Sequence, residues 1–61
     1  MTNANLTTMT FMQWNNVLND WDIIFTEAYP NFTAALNASD KVWEKYLPLQ
    51  KKGWRFQCVF N

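Results

Sequence analysis

Few residues in this 61-residue chain could carry out chemistry. The chain has no histidine, and nothing in the sequence around Cys58, the single cysteine, would activate it, so a small apolar role suits this residue best. Asp20 and Glu27 would share one side of a helix, where a solvated face is favoured over an acid and base pair. Gly53, the single glycine, cannot make a phosphate loop, and the carboxylates lack metal-ligand spacing. We therefore expect no enzyme activity, no metal and no cofactor.

The charge balance narrows the range of partners. Five basic and five acidic residues give a formal net charge of zero, so direct nucleic-acid binding is not expected to be the main task. No run of about 18 apolar residues is present to cross a membrane. The polar start, which has no Lys or Arg, does not resemble a secretory signal, and a lone cysteine suits a reducing compartment. These features predict a cytoplasmic protein.

One apolar pattern runs through the first half of the chain. Its spacings alternate between three and four residues, at positions 11, 14, 18, 21, 25 and 28. Such spacing is typical of one face of a helix, and Thr10 and Gln13 stand where a capping box would begin it. Pro30 restricts Tyr29 to an extended conformation, so the helix should stop there. The pattern predicts a helix from about Phe11 to Ala28.

The second half predicts a further helix, from about residue 40 to 47. Asn31 can cap a short turn before it, and Pro48 should end it. Its inner side would carry Val42, Trp43, Tyr46 and Leu47. Beyond it, aromatic residues and Cys58 occupy every second position from 54 to 60, which predicts a strand, with a short third helix as the alternative.

These elements together predict a mainly α fold, a small two- to three-helix hairpin or bundle with a short C-terminal aromatic segment, read as a β-strand or a helix. Residues 10–61 would form a single small helical domain behind a flexible polar lead at residues 1–9. So short a chain can enclose only a small core. Some of its four Trp and five Phe are therefore expected to face a partner.

Two groups of residues are candidates for that contact. On the predicted first helix, Trp14, Trp21 and Phe25 would pack in the core, whereas Met12 and Ile23 would project from the opposite side, either as lone exposed residues or as a thin docking seam. The second group follows Pro48. Its aromatic and basic members would either fold back over the helices, contact a partner or, less readily, stack against single-stranded nucleic acid; they are Trp54, Arg55, Phe56 and Phe60.

One short stretch resembles a known family. The string "AYPNF" at Ala28 to Phe32, followed by Val42, Trp43 and Leu47 on a second predicted helix, is similar to the helicase loader-and-inhibitor family of Gram-positive phages. The resemblance covers about residues 11–47. It implies a small, mostly helical protein of a bacterial host cell that binds the phage replicative helicase and restrains or redirects it. After Pro48 the chain departs from the family pattern.

The resulting functional expectation is stoichiometric binding to a replication protein, either the replicative helicase or its loader. The alternative is an inhibitor, encoded by a phage or mobile element, that covers the surface of an unrelated host enzyme or defence nuclease. A third reading is a self-associating subunit whose C-terminal strands pair between copies. All three place the function in protein contacts rather than in catalysis.

Overall fold

The computed structural model describes residues 6–61, and within that range the chain forms three strands and one helix. In chain order these are β1 (Thr7–Asn15), β2 (Asp20–Tyr29), α1 (Phe32–Lys51) and β3 (Phe56–Phe60). The strands make an antiparallel sheet in the order β2-β1-β3, and α1 packs across one face. The predicted mainly helical fold, with two or three helices, is therefore wrong.

The segment predicted as the first helix is a β-hairpin. Phe11 pairs with Phe25 across the two strands, and Trp14 pairs with Trp21. Thr10, predicted to cap a helix, lies within β1 and pairs with Thr26. The threonines that open β1 favour extended structure, because their branched side chains pack well on a pleated surface.

The turn between β1 and β2 is built from asparagine. The Asn15 side-chain Oδ1 accepts hydrogen bonds from the backbone N–H groups of Val17 (2.9 Å) and Leu18 (3.1 Å). Asn19 adopts a positive φ of 55°, a left-handed conformation that Asn tolerates better than most residues. These two residues let the chain reverse where the predicted helix would have continued.

Helix α1 is longer than predicted, because it spans 20 residues rather than the eight from 40 to 47. Asn31 is its N-cap, and Asn31 Oδ1 accepts a hydrogen bond from the Ala34 N–H at 2.8 Å, which confirms its predicted capping role. Pro48 lies inside the helix instead of ending it. Near the end of a helix, proline removes a single backbone hydrogen bond, and packing elsewhere can outweigh that loss.

The C-terminal segment is a strand, as its period-two pattern predicts. Sequence reasoning found no partner for it within the chain, yet β3 pairs with β1 in register from Met9 opposite Phe60 to Gln13 opposite Phe56. Two further bonds of 2.9 Å join Thr8 and Asn61 in both directions. The partner was missed because β1 had been assigned to a helix. β3 therefore has a partner within the chain on one side, and as an edge strand it leaves its other side unpaired among the described residues.

The core is an aromatic cluster centred on Phe11. This side chain is fully buried, and its ring centroid lies 5.0 to 5.9 Å from four other rings. Two of those rings come from strands and two from α1, so Phe11 joins both layers; they are Phe25, Phe56, Trp43 and Tyr46. The inner side predicted for the second helix is thus correct for Trp43 and Tyr46, whereas Leu47 is exposed.

The predicted polar lead overlaps the fold. Residues 1–5 lie outside the described residues, and residues 7–9 belong to β1, where Thr7 and Met9 are buried. Within residues 6–61, α1 is not apolar enough along its length to cross a membrane.

Candidate partner-binding surface

The sheet has one face that no element of the described chain covers. Side chains alternate between the two faces of a strand, and Met9 and Phe11 point toward α1, so Met12 and Trp14 point away from it. Met12 pairs with Ile23, and Trp14 pairs with Trp21. With Val59 of β3, these residues form what we call the open face: Met12, Trp14, Trp21, Ile23 and Val59, together with the neighbouring Arg55.

Three side chains at one end of the open face hold one another in place. The Arg55 guanidinium lies 5.1 Å from the Trp14 ring centroid and 5.8 Å from that of Trp21, a cation–π arrangement with both indoles. The two indoles meet edge to face at 5.2 Å. Trp14 also donates a hydrogen bond from Nε1 to Asn16 Oδ1 at 2.8 Å. Large aromatic side chains fixed in this way are suited to act as binding anchors, since little rotamer freedom is left to lose.

The six residues predicted to bind a partner separate into two groups. Met12, Ile23 and Arg55 lie together on the open face, and Ile23 is 65% exposed. Trp54, which is 49% exposed, lies in the loop between α1 and β3.

Phe56 and Phe60, the other two predicted residues, point toward the helix. Phe56 is buried against Phe11 and Tyr46, and the Phe60 ring lies 5.3 Å from that of Phe32. Their alternation with Arg55 and Gln57 along β3 places them on the core side of the sheet. They belong to the core and not to the open face.

Two anchors of the open face were assigned to the core from the sequence. Trp14 and Trp21 belong to the apolar stripe of the predicted helix, so they were expected to be buried. In the hairpin, Trp14 lies three positions after Phe11 on β1, an odd number, so its side chain is on the opposite face of the sheet. The signal that would have found them is the turn composition between them, with asparagine at 15, 16 and 19 and aspartate at 20.

A cavity of about 440 Å³ lies where α1 ends beside the hairpin. Gly53, with φ of 99°, turns the chain there, and its N–H bonds to the Gln50 carbonyl at 3.0 Å. Asn15 Nδ2 donates to Asp22 Oδ2 at 2.8 Å in the opposite wall. The remaining lining residues are mostly polar: Gln13, Trp14, Asn16, Lys52, Trp54 and Arg55.

The charged side chains that line this cavity are Asp22, Lys52 and Arg55. It contains no histidine or cysteine, and among residues 6–61 no group of three His, Cys, Asp or Glu side chains could hold a metal ion. Asp20 and Glu27 lie toward opposite ends of strand β2. They do not share one side of a helix, contrary to the prediction from the sequence.

Cys58 provides a test of how the core side of β3 is covered. Burial raises the pKa of its thiol above the ordinary value. Because the thiolate is the reactive form, iodoacetamide at pH 8 should alkylate the folded protein more slowly than the urea-unfolded chain. A raised folded-state pKa also adds stability that is complete below the unfolded pKa of about 8.5 and is lost as the pH rises through the folded pKa.

The measurement is the urea midpoint of the wild type and of Cys58→Ala from pH 7 to 10. The wild type should lose stability relative to the variant as the pH rises above about 8.5. Tyr29, whose pKa is raised by lost hydration, by the Glu27 carboxylate and, least, by the Cys58 thiolate, is present in both proteins, so only the part that depends on Cys58 enters the comparison. Equal alkylation rates, or a stability difference that does not change with pH, would show that the thiol is open to solvent.

Comparison of the chain with protein-family models, with curated proteins and with solved structures finds no significant match.

Proposed function

We propose that this chain is a non-catalytic domain that binds a protein partner through the open face of its sheet and thereby covers part of the partner's surface. The observation that carries the proposal is the open face itself, where Met12, Ile23 and Val59 adjoin the ordered cluster of Trp14, Trp21 and Arg55. Antiparallel sheets that present one face to water usually carry polar residues there. Thr10, Thr26 and Gln57 supply the polar part of this face, whereas Met12, Trp14, Trp21 and Ile23 are contiguous. An exposed apolar patch of this kind marks an interaction site.

The dimensions of the open face suggest how much of the contact it can supply. Three strands about 4.8 Å apart, with about 3.4 Å per residue, give a flat area of roughly 14 by 30 Å, or about 400 Å². A standard protein interface buries about 800 Å² on each partner. The open face therefore supplies about half of such an interface, and a neighbouring surface must supply the rest.

The resemblance names the first partners to test. The helicase loader-and-inhibitor family binds the phage replicative helicase, so that helicase and its loader are candidates, and a bacterial host cell would be the location. The segment predicted to be a helix before "AYPNF" is a β-hairpin in the structure, and this string joins β2 to α1. An inhibitor of an unrelated host enzyme or defence nuclease, acting in the cytoplasm by occlusion, would use the same open face.

Replacing Ile23 with serine should abolish most of the partner capture. Ile23 is the most exposed large apolar side chain of the open face, and removing an apolar anchor there costs binding free energy, whereas its exposure makes the cost to folding small. The matched control is Val17→Ser at the hairpin tip, where the side chain is 92% exposed. The measurement is quantitative pull-down with each tagged protein, using the purified helicase and loader and, separately, a bacterial lysate read by mass spectrometry.

A partner that is captured by the wild type and by Val17→Ser, and at least about fivefold less by Ile23→Ser, would support the proposal. Equal capture by all three proteins would overturn it, because the open face would then not be the contact. Light scattering of the same proteins distinguishes self-association: a wild-type dimer that Ile23→Ser makes monomeric would replace the foreign partner with a second copy. Circular dichroism confirms that both variants remain folded.

A further inference from the structure

The edge of the sheet next to the open face belongs to β2. Within the described residues β2 pairs only with β1, so its outer side presents backbone N–H and C=O groups along a strand of ten residues that no other strand pairs; of these, the Trp21 N–H bonds to the Asp20 carboxylate. Such an edge can accept an additional strand, whose backbone hydrogen bonds provide affinity while alternate side chains provide specificity. An added strand would also widen the open face, which alone is about half the size of a standard interface.

Acidic and apolar side chains alternate along the first part of β2. Asp20 pairs with Asn15 and Asp22 with Gln13, so both carboxylates lie on the helix side of the sheet. Trp21 and Ile23 point to the opposite side and belong to the open face. Beyond an irregularity in the register near Ile24, Glu27 again lies on the helix side, because it pairs with the buried Met9.

The negative charge of this strand is not balanced from within the hairpin. No Lys or Arg occurs before Lys41, and all five basic residues lie between positions 41 and 55. The hydrogen bonds of the three carboxylates come from neutral donors, namely the Trp21 N–H, the Asn15 amide and the Tyr29 hydroxyl. Arg55, which precedes β3, stacks on the indoles of the open face, and Arg55 and Lys52 line the cavity that Asp22 also lines, so Asp20 and Glu27 are the carboxylates farther from these cations along β2.

From this arrangement we propose that the edge of β2 binds an extended segment of the protein partner in which Lys or Arg alternates with apolar residues. The segment would add a fourth strand to the sheet. Its basic side chains would face Asp20, Asp22 and Glu27, and its apolar side chains would continue the open face beside Trp21 and Ile23. This inference rests on the proposed function, since it specifies the chemistry of the partner at the same surface.

Other occupants of this edge fit less well. Two copies of β2 paired about a twofold axis would place six carboxylates on one side of the joined sheets, where like charges repel. The core side of β3 carries Phe56, Cys58 and Phe60, so β3 of another copy would bring no positive charge to the acidic side. A nucleic-acid strand is repelled by the same carboxylates.

The test is an NMR titration of the full ¹⁵N-labelled chain with the capped hexapeptide Lys-Val-Lys-Val-Lys-Val. The expected result is a set of saturable shifts centred on the amides of residues 20–23, which weaken when sodium chloride is raised to about 0.5 M. Asp20→Asn with Asp22→Asn should lower the affinity about fivefold, because asparagine keeps the acceptor oxygens and removes only the charge. The matched control is Asp40→Asn with Glu44→Gln on α1, which changes the net charge equally and should leave the affinity unchanged.

Two control peptides separate strand addition from simple attraction between charges. A capped peptide of the same composition in blocks, with three Lys followed by three Val, cannot match the alternation of β2 and should bind more weakly. The alternating peptide with an N-methyl group on every backbone amide has no N–H to donate and cannot form a ladder with an edge. Equal binding of the block or methylated peptide, or no shift in residues 20–23 at about 1 mM peptide, would overturn the inference.

Failure of this inference can be told from failure of the proposed function. If the Asp20→Asn, Asp22→Asn protein captures the partner as well as the wild type while Ile23→Ser does not, the open face binds the partner and the edge does not. If Ile23→Ser captures the partner normally, the proposed function itself is wrong. Thermal unfolding of each variant establishes that it folds under the titration conditions.

Discussion

Replacing Phe11 with alanine is expected to remove roughly half or more of the free energy of unfolding at 25 °C. Truncating a buried Phe costs about 3–5 kcal/mol, because apolar contacts are lost and a cavity remains. At about 0.05–0.15 kcal/mol per residue, a chain of this length has a total stability of roughly 3–9 kcal/mol. Phe11 is fully buried in β1 and contacts aromatic rings from β2, β3 and α1, so its side chain joins all four described elements.

The matched control for Phe11→Ala is Phe32→Ala. Phe32 is also a phenylalanine in contact with another ring, that of Phe60, but it is 53% exposed and should cost only about 1 kcal/mol when truncated. Phe11→Leu keeps most of the volume and should give an intermediate loss of about 1–2 kcal/mol that is measurable even if Phe11→Ala never folds. Urea unfolding followed by far-ultraviolet circular dichroism measures all three. Equal losses at positions 11 and 32 would show that Phe11 is not the centre of the core.

The main error of sequence interpretation has a geometric cause. Spacings of three and four residues around position 18 are nearly symmetric, so a chain that reverses there brings residue 11 opposite 25 and residue 14 opposite 21. The apolar pattern of an amphipathic helix is therefore also that of this hairpin. Periodicity alone cannot separate the two, and the deciding information is the turn chemistry of Asn15 and Asn19.

Local signals were more informative where a single residue restricts the backbone. Pro30 marks the end of the first half correctly, since β2 ends at Tyr29, although the element that ends there is a strand. Asn31 caps α1 as expected, and the alternation after Gly53 predicts β3. What the sequence could not provide was the pairing of β3 with β1, which depends on long-range contacts between the two ends of the fold.

The candidate surface could be predicted only in part, because it too depends on strand pairing between distant parts of the chain. Met12 and Ile23 would lie on the same side of a helix of 3.6 residues per turn, about 16 Å apart, and they are cross-strand partners in the hairpin, so either fold places them on one surface. Phe56 follows Arg55 directly, and the sequence alone does not show which of these two side chains is exposed to a partner. Its orientation toward the core is fixed by the register of β3 against β1, in which it pairs with Gln13.

Replacing Pro48 with alanine is expected to stabilise the protein by about 1–2 kcal/mol. Proline in a helix interior is about 3 kcal/mol less favourable than alanine, and the more flexible unfolded chain of the variant returns about 0.4–1 kcal/mol of that difference. The position near the end of α1 reduces the gain further. Pro48 is exposed, so little packing is lost, and the new N–H would bond to the Glu44 carbonyl one turn earlier.

Thermal unfolding measures the effect, and a gain of this size should raise the Tm by about 5–15 °C in so small a domain. Gln50→Ala is the matched control, because it also places alanine at an exposed position in the last turns of α1 and should change stability by less than about 0.5 kcal/mol. If α1 ended before Pro48 in solution, both variants would behave alike. A rise confined to Pro48→Ala would instead show that the helix continues through Pro48 to Lys51, so that the loop holding Trp54 begins from a formed helix end beside the hairpin.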